Sequence, residues 1–146
     1  MPIPQKNEDR LKKLLSPHLQ KLSAPEQLNF LLHLVQKSFE YKTDQDQFNK
    51  EKYFFAHETF VYPYSDCEDR SVLFANLVKA LLGYNVVLLD YPEHIATAVE
   101  VPFSIEGKTV THKGKTYLIC DPTYINANIG MEMPNLKVSE RKVVVF

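Results

Sequence analysis

Two cysteines, Cys67 and Cys120, are all the chain carries, too few for a disulfide framework or a Cys-rich zinc site. CxxC, HExxH, GxGxxG and P-loop patterns are missing, which removes the motif-borne redox, zinc-peptidase, dinucleotide and nucleotide readings. Neither charge is in excess: 17 Lys+Arg stand against 18 Asp+Glu, for a net charge of −1. A chain so balanced raises no broad field for gripping phosphates, so nucleic acid is not an expected partner. No apolar run approaches the ~18 residues that a spanning helix needs. Met1-Pro2-Ile3-Pro4-Gln5-Lys6 lacks the charged-then-apolar order of a signal peptide. A soluble chain without a transmembrane segment is expected, and the same absences fit a domain of a longer, exported or anchored protein, so the compartment stays open.

What is present reads as one ordered domain. Hydrophobic residues make up 45% and charged residues 24% of the 146, a globular profile, with no internal repeat, low-complexity segment or interdomain linker. The first half is helical. Leu11, Leu14 and Leu15 share a face over residues 8–15, and Pro17 is expected to interrupt that helix. Ser23-Ala24-Pro25-Glu26 has the form of a capping box. Leu28, Leu31, Leu32, Val35 and Phe39 then follow at helical spacing to about Glu40. A shorter helix is expected over Gln47–Ala56, before the aromatic stretch Phe60-Val61-Tyr62-Pro63-Tyr64. From Ser71 to Leu82 the chain is apolar on almost every side, interrupted by Asn76 and Lys79, which predicts a buried central helix closed by Gly83.

The period then changes. Tyr84–Tyr91 and His94–Val101 read as strands separated by Pro92-Glu93. Lys108–His112 and Lys115–Asp121 flank Lys113-Gly114 as a hairpin, and Lys142–Phe146 supplies a last strand. Helices over about 8–82 followed by an antiparallel sheet over about 84–146 define an α+β arrangement.

Three residues in this order suggest chemistry. Cys67 lies at the start of the buried helix, where unpaired N–H groups and the helix dipole lower a thiol pKa from its usual ~8.5. The same N–H groups are donors to the oxyanion formed when a thiolate attacks a carbonyl. His94 opens a strand 27 residues later, and Asp121 closes another strand 27 residues after that. If the sheet packs on the helix start, the imidazole lies between thiol and carboxylate, as in a Cys-His-Asp triad. Singly, each has an ordinary explanation: a small buried hydrophobe, a strand-edge histidine, and an Asp-Pro turn.

The order DCEDRSVLFANLVKALLGYNVVLLDYPEHIATAVEV…GKTYLICDPTY resembles the transglutaminase-like superfamily on the papain-like cysteine peptidase fold. Cys67, His94 and Asp121-Pro122-Thr123 match its pattern, and Asp66-Cys67-Glu68-Asp69 is similar to the active-site segment of bacterial transglutaminase-like cysteine proteinases. The resemblance covers about Leu28 to Tyr124. It implies a papain-like core and a cysteine-dependent hydrolase of amide or peptide bonds in a protein or peptide substrate. Cys67 is then the nucleophile, His94 the base and Asp121 its orienter, with a thioester acyl-enzyme. Two alternatives stay open: acyl transfer to an amine on the same triad, and a binding or scaffolding domain that keeps the fold without turnover. The superfamily's second oxyanion donor has Gln36, Tyr41 and Gln47 as candidates here, with a polar helix-surface residue as the favoured description of each.

No cofactor is required by this reading. In some of those proteinases acids beside the nucleophile bind calcium, which makes Asp66 and Glu68 candidate calcium ligands. Capping of the helix by Ser65, Asp66, Glu68 and Asp69 is the favoured reading, since acids are common in first helical turns. The superfamily commonly has a small residue before the histidine; here it is Glu93, which on a strand would point away from His94's face. Cys120 should likewise face away from Asp121, into the core, with a redox bridge to Cys67 as the alternative. The aromatics of Tyr53–Tyr64 line either a core or a substrate cleft. His18, His33, His57 and His112 have no ligand spacing that supports zinc.

Overall fold

Backbone N–H groups at a helix start have no partner inside the helix, and Ser23 with Glu26 settles two of them reciprocally. The N–H of Ser23 donates to Glu26 Oε1 at 3.0 Å, and the N–H of Glu26 donates to Ser23 Oγ at 3.4 Å. The expected capping box is therefore present, at the head of α2 (Ala24–Ser38). The computed structural model describes residues 5–38 and 67–146. The expected helix over Gln47–Ala56, Phe39 and the aromatics of Tyr53–Tyr64 lie outside the described residues.

Helix α1 spans Gln5–Leu19, so Pro17 does not interrupt it. Proline removes one N–H from the ladder, and close to a helix end that is a small loss: Gln20 N–H still donates to Ser16 O at 2.9 Å. Leu11 and Leu15 pack on the core, while Leu14 is 65% exposed and does not share their face in the packed molecule. In α2 the expected stripe is buried: Leu28, Leu31, Leu32 and Val35 are almost fully excluded from water. Each such side chain contributes roughly 1.5–3 kcal/mol of transfer free energy.

Helix α3, Cys67–Leu81, is the central element. It packs on α2 on one side and on the first two strands on the other, burying Leu73, Phe74, Ala75, Leu77 and Val78. Gly83 ends it as expected, its N–H reaching Val78 O at 3.0 Å.

The sheet is antiparallel and curled: β1 (Val86–Tyr91), β2 (His94–Val99), β3 (Thr109–His112), β4 (Lys115–Cys120) and β5 (Lys142–Val145) lie in the order β3-β4-β2-β1-β5. Alternation sorts the side chains. Val86, Val99, Leu118 and Cys120 join the helices in the main core, while Val87, Leu89, Tyr91, Ala96, Ala98, Val110, Tyr117 and Ile119 form a second core on the other face. The Lys113-Gly114 hairpin is as expected, with both residues at positive φ and His112 paired with Lys115. The fold is therefore α+β with a five-stranded antiparallel sheet. No helix among the described residues is long and apolar enough to cross a membrane.

One crossing ties the sheet's edge to the segment after β4. Lys108 N–H donates to Gly130 O at 2.8 Å, and Gly130 N–H to Ile119 O at 2.6 Å. The two backbones are so close that a Cβ on Gly130 (φ +83°) would stand 2.6 Å from Glu106 O. Gly130→Ala is expected to destabilise by about 2 kcal/mol or more, combining steric overlap with left-handed strain. Gly114→Ala, where a Cβ meets nothing within 4 Å, should cost only the strain, about 1 kcal/mol. Urea unfolding of the two variants checks the difference.

The capping box also predicts an acid response. The bonds from Ser23, first its N–H and then its hydroxyl, hold the Glu26 carboxyl below its ordinary value of 4.5. A depressed folded-state pKa gives stability that is present above the unfolded value and lost as pH falls through the folded one. Glu26→Gln should therefore lose less stability than the wild type on acidification below pH 4.5, read by thermal melts across that range.

Candidate active site

The β2–β4 ladder stops at Thr97↔Cys120, and the His94–Asp121 pair forms just beyond its end. Continued by one residue, the register sets Asp121 opposite Ala96. That makes His94 its diagonal neighbour on the same face, a separation that long side chains bridge. Asp121 Oδ2 lies 2.7 Å from His94 Nε2. The side chains are 1% and 10% exposed respectively, so the contact is made largely out of water. An ionised carboxylate only accepts, so Nε2 carries the hydrogen and Nδ1 is the nitrogen able to exchange a proton.

Asp121 is held from both ends. Its Oδ1 accepts the N–H of Thr123 at 2.9 Å and the Thr123 hydroxyl at 3.0 Å, an Asx-turn that Pro122 between them helps to shape. Its backbone carbonyl accepts from Gln36 Nε2 at 3.0 Å. Gln36, 1% exposed, also donates to Ala127 O at 3.1 Å and accepts the N–H of Asn126 at 3.1 Å. His33 Nε2 reaches the same Ala127 carbonyl at 3.1 Å, and Asn29 Oδ1 accepts the N–H of Ile129 at 2.9 Å. Asn29, His33 and Gln36 thus form a polar row on α2 that docks the segment carrying Asp121.

Gln36 is therefore not an oxyanion donor. Its amide hydrogens and carbonyl are committed to this loop, which corrects the expectation above. Tyr41 and Gln47 lie outside the described residues.

Helix α3 begins at Cys67, as the sequence predicts. One turn later Ser71, fully buried, donates its hydroxyl to Ile95 O at 3.2 Å, which joins the helix's first turns to the strand end carrying His94. Cys67 stands one turn, about 5.4 Å along the axis, beyond that bond and on the same row of the helix. Glu68 and Asp69 are exposed in this first turn, as capping acids would be, and Asp66 and Ser65 lie outside the described residues. Among the described residues no group of three or more His, Cys, Asp or Glu converges on a metal position.

Two neighbours differ from or refine expectation. Glu93 lies between the strands, as the Pro92-Glu93 break predicts, so the orientation expected for it on a strand does not apply. It sits in the two-residue β1–β2 turn with φ +63°, because Pro92 before it presets a turn that needs a positive φ at its second position. Cys120 is in the main core, as expected, with its thiol free, and burial pushes that thiol well above its ordinary pKa.

Sequence reasoning also missed Tyr91, Glu132 and Arg141. Tyr91 packs against the His94 ring with centroids 5.9 Å apart, and its hydroxyl donates to Glu132 Oε2 at 2.5 Å. Arg141 Nη1 donates to the same oxygen at 3.1 Å. The polar spacing 29/33/36 beside the leucine stripe was a legible signal for the α2 row; the Tyr91 network had none.

No protein-family model, curated protein or solved structure matches the chain.

The seat of Asp121 makes a testable demand. An asparagine there would need its oxygen toward the Thr123 N–H, turning its amide N–H toward His94 Nε2 and forcing the ring into the opposite tautomer. Asp121→Asn should move the His94 proton from Nε2 to Nδ1, visible in imidazole nitrogen chemical shifts. An unchanged tautomer would contradict this account of the pair.

Proposed function

We propose that the chain is a cysteine-dependent amide hydrolase of the transglutaminase-like superfamily, with a papain-like core and a protein or peptide substrate. The observation that carries the proposal is the buried His94–Asp121 pair at 2.7 Å. The docking of α3's N-terminal turns beside it, through Ser71 and Ile95, supports it further.

In this mechanism His94 Nδ1 takes the proton from the Cys67 thiol, and Asp121 stabilises the imidazolium and holds its ring. The thiolate attacks the amide carbonyl, and the backbone N–H of Cys67 at the helix start donates to the oxyanion. Collapse of the tetrahedral species breaks the C–N bond as His94 returns the proton to the leaving amine. The resulting thioester is released by water, which His94 deprotonates. An amine in place of water would give acyl transfer on the same residues, and supplying a labelled amine with the substrate separates the two products. The reaction as written uses no cofactor. Calcium on Asp66 and Glu68 would show as a chelator lowering both Cys67 reactivity and melting temperature, and an absence of both effects removes it.

The test is the pH dependence of Cys67 alkylation by iodoacetamide, followed by intact mass and peptide mapping. Fast modification continuing well below pH 7 and lost in His94→Ala is the expected result, since the thiol is then ionised by its partner. Cys67→Ala should abolish both adduct and turnover with little change in melting temperature. A slow Cys67 with an ordinary thiol profile, indifferent to His94→Ala, would overturn the proposal in favour of a non-catalytic binding domain.

A further inference from the structure

The hydrogen bond to Asp121 fixes one point of the His94 imidazole. Rotation about the ring-bearing bond is soft, so what packs against the ring helps to set its plane. The β1–β2 turn supplies a candidate by pairing Tyr91 directly with His94. The two rings lie 5.9 Å apart at 45°, so the phenol is a wall beside the imidazole.

That wall is itself fixed at three points. The Tyr91 ring is 2% exposed; its hydroxyl donates to Glu132 Oε2 at 2.5 Å; and the Arg141 guanidinium lies 5.9 Å from the ring centre while donating to the same Glu132 oxygen. Burial first, and then the bond to Glu132, push the Tyr91 hydroxyl above the usual phenol range, so it stays a donor. A largely buried ion pair is a poor source of stability compared with apolar packing, and a phenylalanine would bury the same ring without one. Such a brace is therefore better explained by what it holds still.

We propose that Tyr91, braced by Glu132 and Arg141, is a positioning residue that sets the plane of the His94 imidazole. The inference rests on His94 acting as the base for Cys67. Among the described residues, the charged and titratable groups on the elements packed against that imidazole are Asp121 just after β4, Tyr91 on β1 with Glu132 and Arg141 behind it, Glu93 in the turn, and, in the first turn of α3, the exposed Glu68 and Asp69 and the buried Arg70.

The test compares Cys67 alkylation at pH 6 and pH 9.5 in five proteins: wild type, His94→Ala, Tyr91→Leu, Tyr91→Phe, and the double variant Glu132→Leu/Arg141→Leu, which removes the brace without leaving a lone charge. Tyr91→Leu is expected to react about tenfold or more slower than wild type at pH 6, within the roughly hundredfold that a misplacement of about 1 Å can cost. It should match wild type at pH 9.5, where the thiol ionises unaided. Tyr91→Phe keeps the wall and should keep most of the low-pH rate, and the double variant should fall between the two. A general loss of structure would lower both pH values together and is monitored by melting temperature. Wild-type reactivity at pH 6 in Tyr91→Leu overturns the proposal. If Tyr91→Leu does not fold, wild-type reactivity in the double variant overturns it instead. A wild-type protein that itself shows no His94-dependent reactivity at pH 6 defeats the base assignment, and the positioning role falls with it, so the two failures are distinct.

Discussion

A carboxylate sealed from water has to be answered oxygen by oxygen, and Asp121 is where the described part of the molecule meets that demand. Removing an ion from water costs several kcal/mol even after relaxation, and donors must offset it. Three are present: the N–H and hydroxyl of Thr123 on one oxygen and the His94 ring on the other. The two from Thr123 are local, but the third is in place only if the β2–β4 register is right, since a slip of one residue would turn His94 to the opposite face. The loop after β4 is tied in turn by Gln36 to α2 and by the Gly107–Gly130 crossing to the β3 side. The sheet register, the docking of α2 and the close backbone approach are thus all conditions of one buried charge.

The elements that the sequence made legible are those whose causes are local. A capping box closes over four residues, a Lys-Gly hairpin turn over two, and an apolar stripe over about two turns, so each could be read without knowing the neighbours. The misreadings share the opposite property. Pro17 looked like a helix end, but its effect depends on how little of the helix remains beyond it. Leu14 belongs by spacing to an apolar face, yet only packing decides which leucines meet the core.

The site divides in the same way. Cys67, His94 and Asp121 each carry an address that sequence patterning can read: a helix start, a strand start and a strand end. Gln36 carries none by itself, because a polar residue on an amphipathic helix reads as solvent-facing. It becomes visible only as a member of the row with Asn29 and His33. Glu132 and Arg141 lie in irregular chain, where no period marks which side chains turn inward, and Tyr91 reads simply as a strand aromatic.

The α2 clamp also has a consequence for how the chain acquires its shape. Its two halves are 85 or more residues apart, so the helix emerges from synthesis long before the loop that satisfies it. Until residues 121–129 arrive, Gln36 and Asn29 have only water as a partner, and the strand bearing His94 has no carboxylate beside it. Contacts of such sequence separation carry a large closure entropy and form slowly. A growing chain therefore reaches its paired imidazole only after Asp121 has emerged, and the polar side of α2 remains hydrated, and unsuited to early burial, until then.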